Sequence, residues 1–184
     1  MRVITGSARG RRLNELKGTK ARPTADHVKE AMFNIVQFRV EGRRVLDLFA
    51  GTGQLGIEAL SRGAKSATFL DMRPEAVRLV RENLSLCRLE GRAKVLLGGA
   101  LEFLGRTDET FDLIFLDPPY ESELLKSALE AIARFDILSD HGIILCESSV
   151  TELLPELPPP FQESRAYRYG KIKITVYERN VPLV

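Results

Sequence analysis

The chain has 184 residues, 44% of them apolar and 28% charged, and its 27 Lys+Arg against 25 Asp+Glu leave a formal charge of +2. That length and balance suit one domain with a substantial core and exclude a wholly disordered chain. Apolar runs such as Leu113-Ile114-Phe115-Leu116 fall far short of the roughly 20 residues that cross a bilayer, so no membrane span is expected.

In chain order, Met1–Thr5 alternates apolar side chains and lacks the apolar core of a signal peptide. It leads into Gly6-Ser7-Ala8-Arg9-Gly10-Arg11-Arg12, a turn crowded with cations, and Gly18 marks a second turn. A small β-hairpin or extended arm is predicted here. Residues 1–44 hold 11 Lys+Arg against 4 Asp+Glu, whereas residues 45–184 hold 16 against 21. A basic leader on an acidic body suggests a polyanionic partner; the alternative is a merely solvated arm. Pro23-Thr24 opens a helix expected over Ala25–Phe38, with Thr24 as its cap and Val28, Ala31, Met32, Ile35 and Val36 on one face.

From Arg44 onward strands and helices alternate. The strands are expected at Arg44–Phe49, Ser66–Asp71, Ala93–Gly98, Phe111–Asp117 and Gly142–Glu147, and the helices between them at Leu55–Arg62, Pro74–Arg88, Ala100–Leu104 and Ser122–Phe135. Pro74 suits the first turn of its helix and Gly63 the end of the one before. Short apolar strands alternating with amphipathic helices predict a parallel sheet covered on both faces. After the Pro-rich break at Pro155–Pro160, Gln162–Tyr169 and Lys171–Arg179 read as an antiparallel hairpin around Gly170. The expected architecture is a doubly wound, Rossmann-like α/β domain over residues 44–184, closed by that hairpin and preceded by a basic extension, residues 1–43, packed on it. Cys87 and Cys146 lack CxxC spacing and are expected to be reduced, buried thiols in a cytoplasmic protein.

The segment Asp47-Leu48-Phe49-Ala50-Gly51-Thr52-Gly53-Gln54-Leu55-Gly56 follows the first strand of the sheet and opens a helix. Gly51, Gly53 and Gly56 spell GxGxxG, a turn where a cofactor presses on the backbone in both dinucleotide enzymes and methyltransferases. Asp71, at the end of the second strand, could accept hydrogen bonds from two ribose hydroxyls in either case. Asp47 separates the two. A carboxylate just before the glycines would repel a pyrophosphate, whereas S-adenosylmethionine brings an ammonium and a sulfonium in place of phosphates. Asp47 could otherwise brace the loop, and Asp71 could otherwise cap the helix that begins at Pro74.

The fourth strand ends in Asp117-Pro118-Pro119-Tyr120. Ligands of open α/β sheets bind outside the carboxyl ends of the strands, so this tetrapeptide should face the glycine loop. Its chemistry suits an amino group on a planar ring, a poor nucleophile because its lone pair is delocalised. Asp117 and a backbone carbonyl near Pro118 can each accept one amino hydrogen and aim the lone pair at a methyl donor. The prolines add no competing N–H, and Tyr120 offers a face on which a base can stack. His27 and His141 stand in no ligand spacing with cysteine or carboxylate, so no metal is expected.

The glycine loop, Asp71 and Asp117-Pro118-Pro119-Tyr120 together resemble the class I S-adenosylmethionine-dependent amino methyltransferases. Several longer motifs resemble, more specifically, the RsmD-type 16S rRNA guanine-N2 methyltransferases. These are Met1-Arg2-Val3-Ile4-Thr5-Gly6, Gly10-Arg11-Arg12-Leu13, the run from Arg22-Pro23-Thr24 through Asp26, Val28-Lys29-Glu30-Ala31 and Phe33-Asn34, the stretch from Asp47 through Leu55-Gly56-Ile57-Glu58-Ala59-Leu60-Ser61-Arg62-Gly63-Ala64, and Tyr169-Gly170. The resemblance implies methylation of the exocyclic N2 amino group of one guanine in 16S rRNA, within an assembling or assembled small ribosomal subunit, by a monomeric cytoplasmic enzyme. Under this reading Asp117, Pro118 and Tyr120 are catalytic. Asp47, Phe49, Gly51, Gly53, Asp71, Met72, Ala100 and Leu101 hold S-adenosyl-L-methionine, and Arg9, Arg11, Arg12, Lys20, Arg22 and Thr24 receive the RNA. Many class I enzymes place an Asp or Asn after the third strand to contact adenine. Here the stretch reads Gly98-Gly99-Ala100-Leu101, so backbone amides and apolar neighbours such as Met72 would take that role. A DNA or other RNA amino methyltransferase with the same core is the alternative.

Overall fold

The computed structural model describes residues 1–16, 23–118 and 123–180. At the N-terminus Arg2 bridges Arg12 in antiparallel fashion, and Val3 N–H donates to the Arg11 carbonyl at 2.9 Å, so the leader begins as a hairpin. The following helix, α1, spans Pro23–Ile35. It starts two residues before the expected Ala25, because Pro23 supplies the preset φ and lacks only an N–H that a first turn leaves unpaired. Thr24, expected to cap this helix, instead lies inside its first turn.

The strands and helices that follow are β1 (Arg44–Asp47), α2 (Gln54–Ser61), β2 (Ser66–Asp71), α3 (Pro74–Cys87), β3 (Ala93–Leu97), α4 (Ala100–Leu104), β4 (Phe111–Leu116), α5 (Leu124–Arg134), β5 (Leu138–Ser149), β6 (Phe161–Tyr169) and β7 (Ile172–Arg179). They form one sheet in the order β3-β2-β1-β4-β5-β7-β6. The pairs among β1 to β5 are parallel, and β7 returns antiparallel to both β5 and β6. Sequence order reverses between β1 and β4, which leaves the crevice of a doubly wound sheet above their carboxyl ends.

Alternation along the strands sends successive side chains to opposite faces. Leu113, Phe115 and Leu145 join Val28, Phe33, Ile57 and Val80 on the face that carries α1, α2 and α3. Ile114, Leu116 and Ile144 join Leu125, Leu129 and Ile132 on the face that carries α4 and α5. Both faces are covered, which is why the strands read as continuous apolar runs.

Several element ends differ from expectation by a residue or more, and two of these boundaries bear on the site. β1 ends at Asp47, and Leu48-Phe49 already turn toward the glycine loop. β5 begins at Leu138 rather than Gly142, because a register shift opposite Phe111 and Leu113 absorbs the turn-like Asp140-His141-Gly142, with His141 at φ 58°. Cys87 and Cys146 are free, buried thiols, and no described helix is long and apolar enough to cross a membrane.

Candidate active site

The loop between β1 and α2 is held from three sides. Gly53, at φ 78°, stands at the N-cap position of α2. A methyl group added at Gly56 would meet the Phe69 ring at 2.3 Å, so α2 rests directly on β2 at that point. The Asp47 carboxylate, 2% exposed, accepts the Gly56 N–H at 2.9 Å. Burial pushes Asp47 up to about 7, against the Gly56 hydrogen bond and aided by the charge of Asp71. Of the two roles open to Asp47, the geometry displays the bracing one.

Asp71 closes β2 and is 8% exposed. Its Oδ2 accepts the Gly51 N–H at 2.9 Å, and its Oδ1 accepts the Arg73 N–H at 3.0 Å. The Arg73 guanidinium spans both oxygens at 3.0 Å each. Burial alone would raise this carboxyl, but the Arg73 and Gly51 hydrogen bonds outweigh it and hold it below the usual carboxylate range. Asp71 thus ties the glycine loop to β2 and pairs with the half-exposed side chain of Arg73.

Phe49 is half-buried beside the loop. Met72 (72% exposed) follows β2, Leu97 ends β3 and Leu101 lies in the first turn of α4, all three exposed, and Ala100 is half-buried. Gln54, the first residue of α2, has a buried Oε1 with no hydrogen-bond partner. On the neighbouring strand, β4 runs in register with β1, Asp47 opposite Phe115, and the Leu48 N–H donates to the Phe115 carbonyl at 3.3 Å. Half-buried Asp117 and buried Pro118 follow β4 directly, so the loop and the start of the tetrapeptide share one rim of the sheet. Pro119 and Tyr120 lie outside the described residues, as do Lys20 and Arg22.

The leader is docked rather than merely solvated, through polar residues that periodicity did not reveal. Glu58, fully buried on α2, accepts the Ile4 and Thr5 N–H groups at 2.8 and 3.0 Å and pairs with Arg62. Ser61 Oγ accepts the Ala8 N–H and donates to the Thr5 carbonyl, and Lys29 Nζ donates to the Arg2 carbonyl. Burial lowers the Lys29 ammonium below its usual range, opposed chiefly by Glu58. This anchoring leaves Arg9, Arg11 and Arg12 exposed. A further link comes from buried Asn83 on α3. Its Nδ2 donates to the carbonyls of Asn14 and Thr52, at 3.1 and 2.9 Å, while its Oδ1 accepts the Asn14 N–H. One carboxamide therefore joins the end of the leader to the middle of the glycine loop. Local periodicity marks Glu58, Ser61 and Asn83 only as polar residues on an otherwise apolar helix face, although Glu58 and Ser61 stand within a stretch that carries the family resemblance.

A seven-stranded sheet of this order, with a glycine loop after its first strand and an acidic residue closing its second, defines the class I S-adenosylmethionine-dependent methyltransferase fold. The model of the family described as Conserved hypothetical protein 95 matches residues 1–178. The Ribosomal RNA small subunit methyltransferase D of Escherichia coli (strain K12) is 33% identical over 179 residues, covering 97% of this chain and 90% of that protein. YlbH of Bacillus subtilis (strain 168) is 40% identical over 182 residues, covering 97% and 99% respectively. The solved structure of yhhF from Escherichia coli superposes with a TM-score of 0.88 at 34% identity, covering 97% of each chain. The chain belongs to this family, that of the RsmD-type rRNA methyltransferases.

Proposed function

We propose that this protein transfers a methyl group from S-adenosyl-L-methionine to the exocyclic N2 amino group of one guanine in 16S rRNA. The observation that carries the reading is the shared rim, where Asp117-Pro118 at the end of β4 adjoins the loop that Asp47 and Asp71 hold after β1.

The residues present fit the cofactor. Its ribose hydroxyls would replace the Arg73 guanidinium on Asp71. Its adenine would lie against Met72, Leu97 and Leu101, and its ammonium would satisfy the orphaned Oε1 of Gln54. When bound it supplies a methyl group on a positively charged sulfur. The protein's own work is orientation. Asp117 and the Pro118 region accept the two hydrogens of the substrate amine and turn its lone pair outward for in-line attack. The carboxylate also favours the positive charge that develops on the nitrogen before it sheds a proton. Tyr120 would stack on the splayed base. The exposed cations Arg9, Arg11 and Arg12, with Lys20 and Arg22, would neutralise phosphates and position the RNA without reading its sequence. Asp47 serves by pinning the loop, and the enzyme works in the cytoplasm, where small subunits assemble.

The test is to incubate the protein with undermethylated small subunits, or with protein-free 16S rRNA, and methyl-labelled cofactor. The modified base is then mapped by mass spectrometry. One guanine carrying the label on N2 is the expected product. Label on an adenine amino group, on DNA, or on no nucleic acid despite cofactor binding would overturn the assignment.

A further inference from the structure

We infer that the turn between β6 and β7, Arg168-Tyr169-Gly170-Lys171, is a second RNA-contacting wall of the active site, with Tyr169 as a stacking platform for an unpaired base flanking the target. The inference rests on the reading that the substrate is RNA, and it adds a surface on the opposite side of the site from the leader.

Register locates the turn. Leu116 is level with Cys146 on β5, which puts Asp117 level with Glu147. Further along, Ser149 is level with Ile172 on β7, and Ile172 with Tyr169 on β6. The turn therefore projects past Asp117 by two residues, about 7 Å, and stands three strands to its side, about 14 Å. The Val150 N–H, bonded to the Lys171 carbonyl at 3.1 Å, fixes the turn to the end of β5.

The face is also determined. Residues opposite one another in an antiparallel pair share a face. Tyr169 opposes Ile172, and Ile172 and Tyr167 pack against the cluster that contains Val28, Phe33 and Val36. Tyr169 thus stands on the face that α1 covers. Arg39, just beyond α1, bonds to Glu178 at the end of β7 and to the His141 carbonyl, so α1 finishes at the amino edge of the sheet. Its 13 residues span about 20 Å, which returns its start to the carboxyl edge. The Asn14 end of the leader hairpin, joined through Asn83 to Thr52 of the glycine loop, and the β6–β7 turn then flank the same rim, with Asp117 between them.

The chemistry selects the partner. Between Ser164 and Lys173 the chain carries Arg165, Arg168, Lys171 and Lys173, two tyrosines and no acidic residue. Arg165, Arg168 and Lys171 are exposed, and Tyr169 is 39% exposed. Lys173 is committed to the Glu152 carbonyl. An exposed ring with Arg165 on its own face of the hairpin, Lys171 in the turn and Arg168 on the opposite face matches single-stranded nucleic acid, in which cations take the phosphates and an aromatic takes a base.

The experiment compares Tyr169→Ala, Tyr169→Phe and an Arg168→Ala/Lys171→Ala double variant with the wild-type protein. Binding to a short single-stranded oligoribonucleotide is followed across a salt series, alongside calorimetry with S-adenosylmethionine and thermal melting. Tyr169→Ala should weaken RNA binding roughly 5- to 150-fold, the factor that 1–3 kcal/mol of base stacking represents, and Tyr169→Phe should retain it. The double variant should flatten the slope of log affinity against log salt by about 1.4, or about 0.7 for each phosphate no longer neutralised. Cofactor affinity and melting temperature should stay at wild-type values throughout. Wild-type RNA affinity in both the alanine and the double variant would overturn the inference, and so would an equal loss in Tyr169→Phe and Tyr169→Ala. Failure of the guanine reading looks different: RNA binding would depend on the turn, yet the wild-type protein would place no methyl on guanine N2.

Discussion

At the scale of single residues, three carboxylates on one rim have separate tasks, and each makes its own prediction. Asp117 is the proposed acceptor for the substrate amine. Asp117→Ala should cut single-turnover methyl transfer by about 10²–10³, while Asp117→Asn, whose amide oxygen can still accept a hydrogen, retains partial activity. Near-normal turnover in the alanine variant would remove Asp117 from the chemistry. Asp71 ties the glycine loop and is the proposed ribose acceptor. Asp71→Ala should weaken cofactor binding by about 1–3 kcal/mol, whereas Arg73→Ala, which frees the same oxygens, should bind at least as well as the wild type. An unchanged calorimetric dissociation constant in Asp71→Ala would remove the ribose role. Asp47 makes a prediction about pH. Its folded-state value, about 7, lies above the ordinary 3.8, so its contribution to stability is fully present below the unfolded value and is lost as pH rises through 7. Asp47→Asn lacks that titration but keeps an acceptor for the Gly56 N–H. The melting-temperature difference, variant minus wild type, should therefore climb between about pH 4 and pH 7 and then level off. A difference that does not vary with pH would show that Asp47 titrates normally.

At the scale of elements, α2 is the organiser. Its first turn closes the glycine loop through Gly53 and Gly56, its middle holds the leader through Glu58, and its last turn does so again through Ser61. α3 adds Asn83, which joins the leader to Thr52. The leader hairpin's backbone is therefore set by buried partners, and Arg9, Arg11 and Arg12 are left exposed. Replacing Arg9, Arg11 and Arg12 together with Ala should flatten the salt slope of RNA binding by about 2, or about 0.7 per neutralised phosphate of a single strand, and leave cofactor affinity alone. A salt slope that does not move would reduce the leader to a solvated face. The sheet elements are less exacting. β4 and β5 are buried on both faces, so their contribution to the site is to hold Asp117 level with the glycine loop rather than to supply groups of their own.

At the scale of the whole molecule, the cofactor would link β1, β2 and β3, since the residues proposed to hold it lie at the ends of all three. Ligand binding to the folded state alone stabilises by mass action, about 2.7 kcal/mol at a hundredfold excess over the dissociation constant. For a chain of this size that corresponds to a rise in melting temperature of roughly 5–10 °C. S-adenosylmethionine should produce it and NAD should not, and a response to NAD alone would overturn the cofactor assignment. The charge division acts at the same scale: a basic leader on an acidic body orients the molecule toward a polyanion before any contact forms.

What the sequence by itself determined is what short-range patterns encode. Alternating apolar strands and amphipathic helices specified the doubly wound sheet, and Asp47, Asp71 and Asp117 were legible because each closes or directly follows a strand at a motif whose spacing has a chemical meaning. Tertiary structure alone decided which polar residues inside apolar helices were anchors. Glu58, Ser61 and Asn83 bond to backbone groups more than 50 positions away, and no local period records a partner at that distance. It also decided that Asp47 braces the loop and that Arg73 covers Asp71, because both depend on where neighbouring strands set the backbone amides. The same holds for the β6–β7 turn. Its cations and tyrosines were visible in the chain, but only strand order and register bring them to the rim where Asp117 stands, since pairing between distant segments, not local sequence, determines which strand ends share an edge.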